Sequence, residues 1–261
     1  MSVLKVERKN HIYQATIDRP QPHNAINFAV MNELENLLDT VEQDARIRCF
    51  ILSGSGRKTF ISGGDLREFH TIKTAEEAKP MARRMLAILK RIEQLPCWTI
   101  AAINGATFGG GCEIMLAFDF RIAVPEATFG FTQGKFYLPP GWGGLTRLVE
   151  KVGRSTALRW LAEAKIVDTD TALRHKLIDR IANGGQLSDQ AREWGKQLSQ
   201  NNRPFIKNLK QGALRFSKAR WKAIEAELDS FAKFWESDLH EKRVEKFLNR
   251  KIRSPDDESS G

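Results

Sequence analysis

The stretch GATFGGGCEIMLAFDF, from Gly105 to Phe120, joins three glycines to an apolar segment that contains one carboxylate, Glu113. The run TIAAIN at 99–104 precedes it and is typical of a buried strand, so the order strand, glycine turn, helix is predicted. Backbone N–H groups in the first turn of a helix have no partner inside the helix and lie at the positive end of its dipole. The turn is therefore a candidate anion site, although these residues alone favour a tight turn in which Glu113 caps a helix.

A second stretch of the chain has the same order of elements. CFILSGSGRKTFISGGDLREF, residues 49–69, begins as a buried strand, passes through a glycine-rich loop and enters a helix. Glycine permits close approach of a ligand because it has no side chain. Two such turns that face each other would present two N–H donors to a thioester or acyl oxygen that becomes negative in a transition state. Two tight turns without a ligand are the alternative.

The first half of the chain alternates buried strands with helices, which indicates an α/β class. Alternating residues predict a hairpin at 3–7 and 11–18, and helical spacing predicts helices at Phe28–Asp44 and about Ala75–Leu95. The segment FRIAVPEATFGF, residues 120–131, predicts two more short strands.

Beyond about Gly144 the pattern predicts helices throughout. The last of them carries Phe231, Phe234 and Trp235, more apolar surface than a lone surface helix hides, which predicts packing on the main domain or on another subunit. The small polar tail at 254–261 is predicted to be disordered. The predicted helices are 144–151, 154–163, 168–175, 187–199, 203–217 and 219–247.

The composition is that of a soluble globular protein, with 41% hydrophobic and 28% charged residues among 261. No apolar run approaches the length of a membrane span, and the N-terminal residues 1–20 lack the apolar core of a signal peptide. Three cysteines without a close pair and five scattered histidines predict neither a disulfide framework nor a metal site. We expect a cytoplasmic protein without a membrane partner.

Several segments together resemble the crotonase (enoyl-CoA hydratase/isomerase) superfamily, over about residues 3–251. The resemblance implies a crotonase (ClpP-like) fold of repeated ββα units with a C-terminal helical region. It divides the chain into a catalytic core at 1–190 and an oligomerisation region at 191–253. The segments that carry the resemblance are HNAIN (23–27), TFISGGDLREF (59–69), NGATFGGGCEIMLAFDFRIA (104–123), ATFGF (127–131), LPPGWGGLTRLVEKVG (138–153), NRPFIKNLKQGAL (202–214) and KFLNRK (246–251).

The resemblance also implies the catalytic residues. Gly64 and Gly110 would donate the two oxyanion N–H groups, and Glu113 would be the first catalytic carboxylate. Family hydratases have a second glutamate seven residues before the proline of P-G-x-G-G, and this chain has Gln133 there. An amide can form hydrogen bonds but cannot exchange a proton near neutral pH. Lys135, two residues on, either compensates or is a surface lysine.

The departure at Gln133 leaves several reactions open. The resemblance favours an enoyl-CoA hydratase/isomerase-type lyase of fatty acid metabolism, and an isomerase can work with one carboxylate. The segment PGWGGLTRLVE, residues 140–150, also resembles the ethylmalonyl-CoA enzyme among the methylmalonyl-CoA and ethylmalonyl-CoA decarboxylases. A non-enzymatic family member that binds coenzyme A or RNA is the alternative of another class. Hydration, isomerisation and decarboxylation would all pass through an oxyanion-stabilised enolate.

The expected ligand is coenzyme A as part of the thioester substrate, without a permanently bound cofactor. The net charge of +9 fits a ligand that carries several phosphates. Nucleic acid is not expected, because the early helix MNELENLLDTVEQD, residues 31–44, is acidic and would repel phosphates. The family analogy suggests a trimer or a dimer of trimers. The resemblance places the adenine near Ala25, Ser62, Gly64, Asp65 and Leu66, and the nucleotide near Phe247 and Arg250, possibly from a neighbouring subunit.

Overall fold

The computed structural model describes residues 2–183, 186–215 and 218–250, and at positions 215, 218 and 250 it describes the backbone alone. The predicted tail at 254–261 lies outside the described residues. Within these ranges the strands form two sheets. The strands are β1 (Leu4–Lys9), β2 (Ile12–Ile17), β3 (Cys49–Gly54), β4 (Thr59–Ile61), β5 (Trp98–Ile103), β6 (Ala106–Phe108), β7 (Phe120–Ala123), β8 (Thr128–Gly130), β9 (Ile166–Asp168) and β10 (Arg180–Ile181).

Helices cover the sheets and make up most of the C-terminal region. A 3₁₀ turn at Thr132–Phe136 follows β8. The helices are α1 (Phe28–Gln43), α2 (Leu66–Phe69), α3 (Ala75–Gln94), α4 (Gly110–Met115), α5 (Gly144–Val152), α6 (Arg154–Ala162), α7 (Thr169–Arg174), α8 (Leu187–Leu198), α9 (Arg203–Arg215), α10 (Lys218–Trp235) and α11 (Asp238–Arg250).

The fold repeats a unit of two strands and a helical segment. In each unit the first strand joins a six-stranded sheet of order β1-β2-β3-β5-β7-β10, and the second joins a four-stranded sheet of order β4-β6-β8-β9. The units are β3–β4 with α2 and α3, β5–β6 with α4, and β7–β8 with the 3₁₀ turn. All six residues of β3 are buried, as expected for a parallel strand covered on both faces. The predicted mixed α/β fold of ββα units with a C-terminal helical region is confirmed.

Two details of the predicted C-terminal half are wrong. The region after Gly144 is not helical throughout, because β9 pairs with β8 and β10 pairs with β7. The predicted helix 219–247 is two helices, since the Ser237 hydroxyl accepts a hydrogen bond from the His240 N–H at 3.3 Å and caps a new helix, α11. The strands β9 and β10 have three and two residues, too few for a periodic pattern to reveal them.

The C-terminal helices pack back on the main body of the same chain. Phe231 is buried in the main core. The indole Nε1 of Trp235 donates to the carbonyl of Ile72 at 2.9 Å, and Nδ1 of His240 lies 2.8 Å from the carbonyl oxygen of Phe136. Across the described residues, none of the helices combines the length and the apolar character needed to span a bilayer.

A buried charge cluster ties three helices together. The Arg147 guanidinium of α5 lies 2.8 Å from Glu93 of α3, and Arg220 of α10 contacts the same carboxylate at 2.5 Å. The three side chains are at most 8% exposed. Burial alone would raise the pKa of Glu93, but Arg147 and Arg220 hold that pKa below its ordinary value. The cluster therefore contains an ionised glutamate at neutral pH.

We predict that Glu93→Gln lowers the free energy of unfolding by about 3–5 kcal/mol at pH 7, because it leaves the buried Arg147 guanidinium without its counter-charge and leaves Arg220 with Glu150 alone. Urea unfolding checks this, with Glu76→Gln on the exposed face of the same helix as the control. Because the folded-state pKa of Glu93 is depressed, its stabilisation is present above the ordinary glutamate pKa and is lost as the pH falls through the folded-state value. An equal effect of both variants at pH 7 would contradict the prediction.

Candidate active site

A cavity of about 690 Å³ lies where the two glycine turns, the 3₁₀ turn and the C-terminal helices meet. This is the size range of sites that hold a small organic ligand. Gly64, Gly110, Glu113 and Gln133 all line it. The structure therefore brings the four predicted catalytic residues together.

The position of Gly64 follows from its pairing with the early loop. Ile26 donates to the carbonyl of Gly63 at 2.9 Å and accepts from the N–H of Asp65 at 2.8 Å. These two bonds lie on either side of Gly64 and leave its own N–H without an acceptor among the described residues. The N–H of Gly64 is thus available to a ligand.

Gly110 lies beside Gly64 because β4 and β6 are neighbouring parallel strands whose carboxyl ends meet at one edge. It is the first residue of α4, so its N–H has no partner within the helix, and none is present elsewhere in the described chain. A Cβ at Gly63 would lie 3.5 Å from the Gly110 nitrogen, which shows how closely the two turns approach. Two unpartnered N–H groups on adjacent turns can bind one oxyanion.

Glu113 lies in the first turn of α4 and is 2% exposed. Its Oε2 accepts hydrogen bonds from the N–H groups of Trp142 at 2.7 Å and Gly144 at 2.9 Å. Its Oε1 accepts from Nε2 of Gln133 at 2.9 Å and, more weakly, from the N–H of Gly141 at 3.4 Å. Each oxygen accepts two hydrogen bonds, and because the 3.4 Å bond from Gly141 is the weakest of the four, Oε1 is the oxygen better placed to receive a proton.

The environment of Glu113 places its ionisation close to neutral pH. Burial raises the pKa of this carboxyl to about 7, while the hydrogen bonds from Gln133 and Trp142 oppose that rise. The charge of Glu227 raises the pKa further. A carboxyl with a pKa near neutrality can both take up and return a proton.

Gln133 contacts Glu113 directly from the 3₁₀ turn. It is 8% exposed and lines the cavity. Because its Nε2 donates to Glu113, its Oε1 is left as an acceptor, and this buried oxygen has no hydrogen-bond partner among the described residues. Lys135 is exposed at the cavity rim and has no contact with Glu113 in the described structure.

The predicted coenzyme residues line one side of the same cavity. Ala25, Ser62, Asp65 and Leu66 all contribute to its wall. The Asp65 carboxylate is already paired with Arg19 at 2.9 Å, and Arg19 also donates to the carbonyl of Ala25 at 2.5 Å. Asp65 therefore holds the early loop in place, and the backbone of this segment is what can face a ligand.

The chain's own helix α11 closes the other side of the cavity. Phe247 lines it, with its ring centroid 5.5 Å from that of Phe136. A neighbouring subunit is therefore not needed to bring Phe247 to this cavity. Arg243 and Lys246 join it there as positive groups. The side chain of Arg250 lies outside the described residues.

Two residues of the site were missed by the sequence analysis. The ring of Trp142 packs on Gly110, and Glu227 of α10 accepts from the N–H groups of Leu145 at 3.0 Å and Thr146 at 2.8 Å. Gly143 at the start of α5 gives no side-chain cap, so the sequence contained a signal that the first amides of α5 need acceptors from outside the helix. Within the described ranges, no group of three or more His, Cys, Asp or Glu side chains is arranged to hold a metal ion.

We predict that Gln133→Leu raises the pKa of Glu113 above about 7, because it removes the side-chain hydrogen bond that favours the ionised form. Infrared difference spectroscopy of the protonated carboxyl band during a pH titration measures this without any substrate. The spectrum of Glu113→Gln identifies the band. A pKa that falls or stays unchanged in Gln133→Leu would show that the amide does not stabilise the carboxylate.

Comparison with known proteins identifies the family of this chain. The family model described as enoyl-CoA hydratase/isomerase matches residues 7–255. The chain is 32% identical over 210 residues to a short-chain-enoyl-CoA hydratase of Clostridium acetobutylicum, covering 80% of each chain. It is 31% identical over 215 residues to a crotonyl-CoA hydratase of Syntrophomonas wolfei, covering 82% of this chain and 79% of the relative. A crystal structure of an enoyl-CoA hydratase from Bacillus halodurans superposes with a TM-score of 0.86 at 25% identity, covering 94% of this chain and all of that one. The chain belongs to the enoyl-CoA hydratase/isomerase family.

Proposed function

We propose that this enzyme adds water to 2-enoyl-CoA thioesters, with Glu113 as the carboxylate that moves the proton. The observation that carries the proposal is the Glu113–Gln133 pair, in which the carboxylate accepts from the amide and the amide oxygen has no other partner. Of the described residues that line the cavity, two have carboxylates, and Asp65 is paired with Arg19. Relatives named as enoyl-CoA hydratases support the same reaction class.

The two glycine N–H groups would bind the thioester oxygen. As water adds to C3, the π electrons of the C2=C3 bond move toward the carbonyl, and the oxygen becomes negative. The donors of Gly64 and Gly110 are fixed before the reaction, so they stabilise this enolate without reorganising. Loss of one such donor typically costs about 10²–10³-fold in rate.

The proton follows a path through one carboxylate. Water would donate one hydrogen bond to Oε1 of Glu113 and the other to the free Oε1 of Gln133. When the water oxygen bonds to C3, Glu113 takes the released proton and then gives it to C2 as the enolate collapses. The product is a 3-hydroxyacyl thioester, and Glu113 returns to its ionised form.

The remainder of the coenzyme would leave the cavity past α11. Lys135, Arg243 and Lys246 line this side and can attract phosphate groups. The backbone of Ala25 and of the segment 62–66 would face the adenine, with Phe247 beside the nucleotide. Arg250 stays a prediction from the family resemblance.

Assembly into a trimer or dimer of trimers is part of the proposal. On α9, Phe205 and Leu209 are each 47% exposed and lie four residues apart on one helix face. An exposed apolar stripe of this kind is typical of a contact between subunits. It supports the region 191–253 as the oligomerisation region. The cytoplasmic location is proposed from the sequence composition alone.

The geometry favours hydration over removal of carbon dioxide from an alkylmalonyl thioester. The Nε2 of Gln133 is bonded to Glu113, so the amide offers the cavity an acceptor oxygen. An acceptor suits the O–H of water, whereas an extra substrate carboxylate needs a donor. Double-bond isomerisation is the second candidate, because one carboxylate with a pKa of about 7 can remove and return a proton.

We predict a gain of water when the enzyme meets a mixed pool of 2-enoyl-, 3-enoyl- and alkylmalonyl-CoA thioesters. Liquid chromatography with mass spectrometry resolves the products, including isomers of equal mass. Glu113→Gln should lower kcat by about 10²–10⁴-fold, because an amide at position 113 cannot accept and return a proton. Loss of carbon dioxide, or an isomer shift alone, would refute hydration. Coenzyme A binding without any turnover would identify a non-enzymatic member.

We predict that kcat/KM for hydration rises as the pH increases through about 7, because the ionised form of Glu113 must accept the proton from water. Initial rates across pH 5.5–9 measure the profile. The same profile in Gln133→Leu should move toward higher pH, as its carboxyl pKa does. A rate that falls through this range would show that the protonated form of the site is the active one.

A further inference from the structure

The indole of Trp142 lies against both oxyanion glycines. A Cβ at Gly110 would be 2.2 Å from Cζ3 of the ring, so the ring occupies the space in which a side chain at position 110 would begin. A Cβ at Gly64 would be 3.7 Å from Cη2 of the same ring. The six-membered edge of the indole therefore spans the two turns, and it also lines the cavity.

The backbone of Trp142 is fixed on both sides. Its N–H donates to Oε2 of Glu113 at 2.7 Å, and its carbonyl accepts from Arg147 at 2.6 Å. Arg147 is itself held by Glu93 in the buried charge cluster. Trp142 is 5% exposed, so close packing around the ring restricts its rotation.

These contacts place the Trp142 indole beside the position that C2 of an acyl group would occupy. The thioester oxygen would be on the glycine N–H groups, and C2 must exchange its proton with Glu113. C2 therefore lies between the glycines and Glu113, the same two features that Trp142 joins with its ring and its backbone. A substituent on C2 would compete with the indole for this space.

We propose that Trp142 determines specificity by excluding acyl groups that are branched at C2. The inference rests on the proposed function, since it uses the oxyanion position and the role of Glu113. It narrows the substrate class to linear acyl groups. One methyl group of misfit in a packed apolar site is worth about 10–200-fold in selectivity.

The test compares butanoyl-CoA with 2-methylpropanoyl-CoA, which have the same composition and differ in branching at C2. Neither can be hydrated, so isothermal titration calorimetry measures binding whether or not the protein is a hydratase. We expect the wild type to prefer butanoyl-CoA by about tenfold or more, and Trp142→Ala to reduce that preference by at least about fivefold. Trp142→Phe should be intermediate.

Trp194→Phe is the matched control. Trp194 of α8 is a buried indole in an apolar cluster that includes Ile51 and Ile100 of the six-stranded sheet, and it does not line the cavity. Trp194→Phe should leave the preference unchanged. If Trp142→Ala loses its folded circular dichroism spectrum, Trp142→Phe decides the test. A wild type that binds both thioesters equally, or a folded Trp142 variant with the wild-type preference, would overturn the inference.

A parallel hydration assay separates this inference from the proposed function. Crotonyl-CoA turnover with equal binding of the two saturated thioesters would overturn the role of Trp142 and leave hydration intact. If the protein prefers butanoyl-CoA in a way that depends on Trp142 but does not turn over crotonyl-CoA, the role of Trp142 in acyl binding would be supported and the proposed hydration would be refuted. Stronger binding of the branched thioester by the wild type would overturn the inference and favour substrates of the alkylmalonyl type.

Discussion

The N-terminus of α5 is the constraint on which the rest of the site depends. The first residues of the helix are buried or half-buried, and Gly143 offers no side-chain cap, so acceptors must come from elsewhere in the chain. Glu113 accepts from the amides of Trp142 and Gly144, and Glu227 accepts from the next two amides. One helix end thereby fixes α4 and α10 relative to each other, and the cavity lies between them.

The same arrangement sets the proton affinity of Glu113. Burial disfavours its charge and Glu227 adds a repulsion, while the hydrogen bonds from the Gln133 side chain and from the Trp142 and Gly144 amides favour the ionised form. Gly144 is necessary here, because a Cβ at that position would lie 2.4 Å from Cγ of Glu113. The Glu113 carboxylate is thus placed by packing, and its pKa is set by burial together with hydrogen bonds from the Gln133 side chain and from the backbone of Trp142 and Gly144.

Structural features that depend on neighbouring residues could be predicted from the sequence. The buried strand before Gly105, the glycine turns and the helix that starts at Gly110 are features of neighbouring residues, and the structure has them. The sequence did not reveal β4 and β6, each three residues long within a glycine-rich stretch, or the cap at Ser237. The roles of Trp142 and Glu227 depend on contacts between segments far apart in the chain, which no local periodicity reports.

Compared with a glutamate at the same position, Gln133 removes one acid from the site and also changes the electrostatics around Glu113. A glutamate in its place, with an oxygen about 2.9 Å from Oε1 of Glu113, would force the two carboxylates to share a proton. The amide instead donates to Glu113, so burial rather than a like charge at contact distance keeps the pKa near 7. It also keeps an acceptor for the second hydrogen of water. A site with one acid and one amide can therefore hold the water and move its proton through a single carboxylate, provided that the same carboxylate reaches both the water and C2.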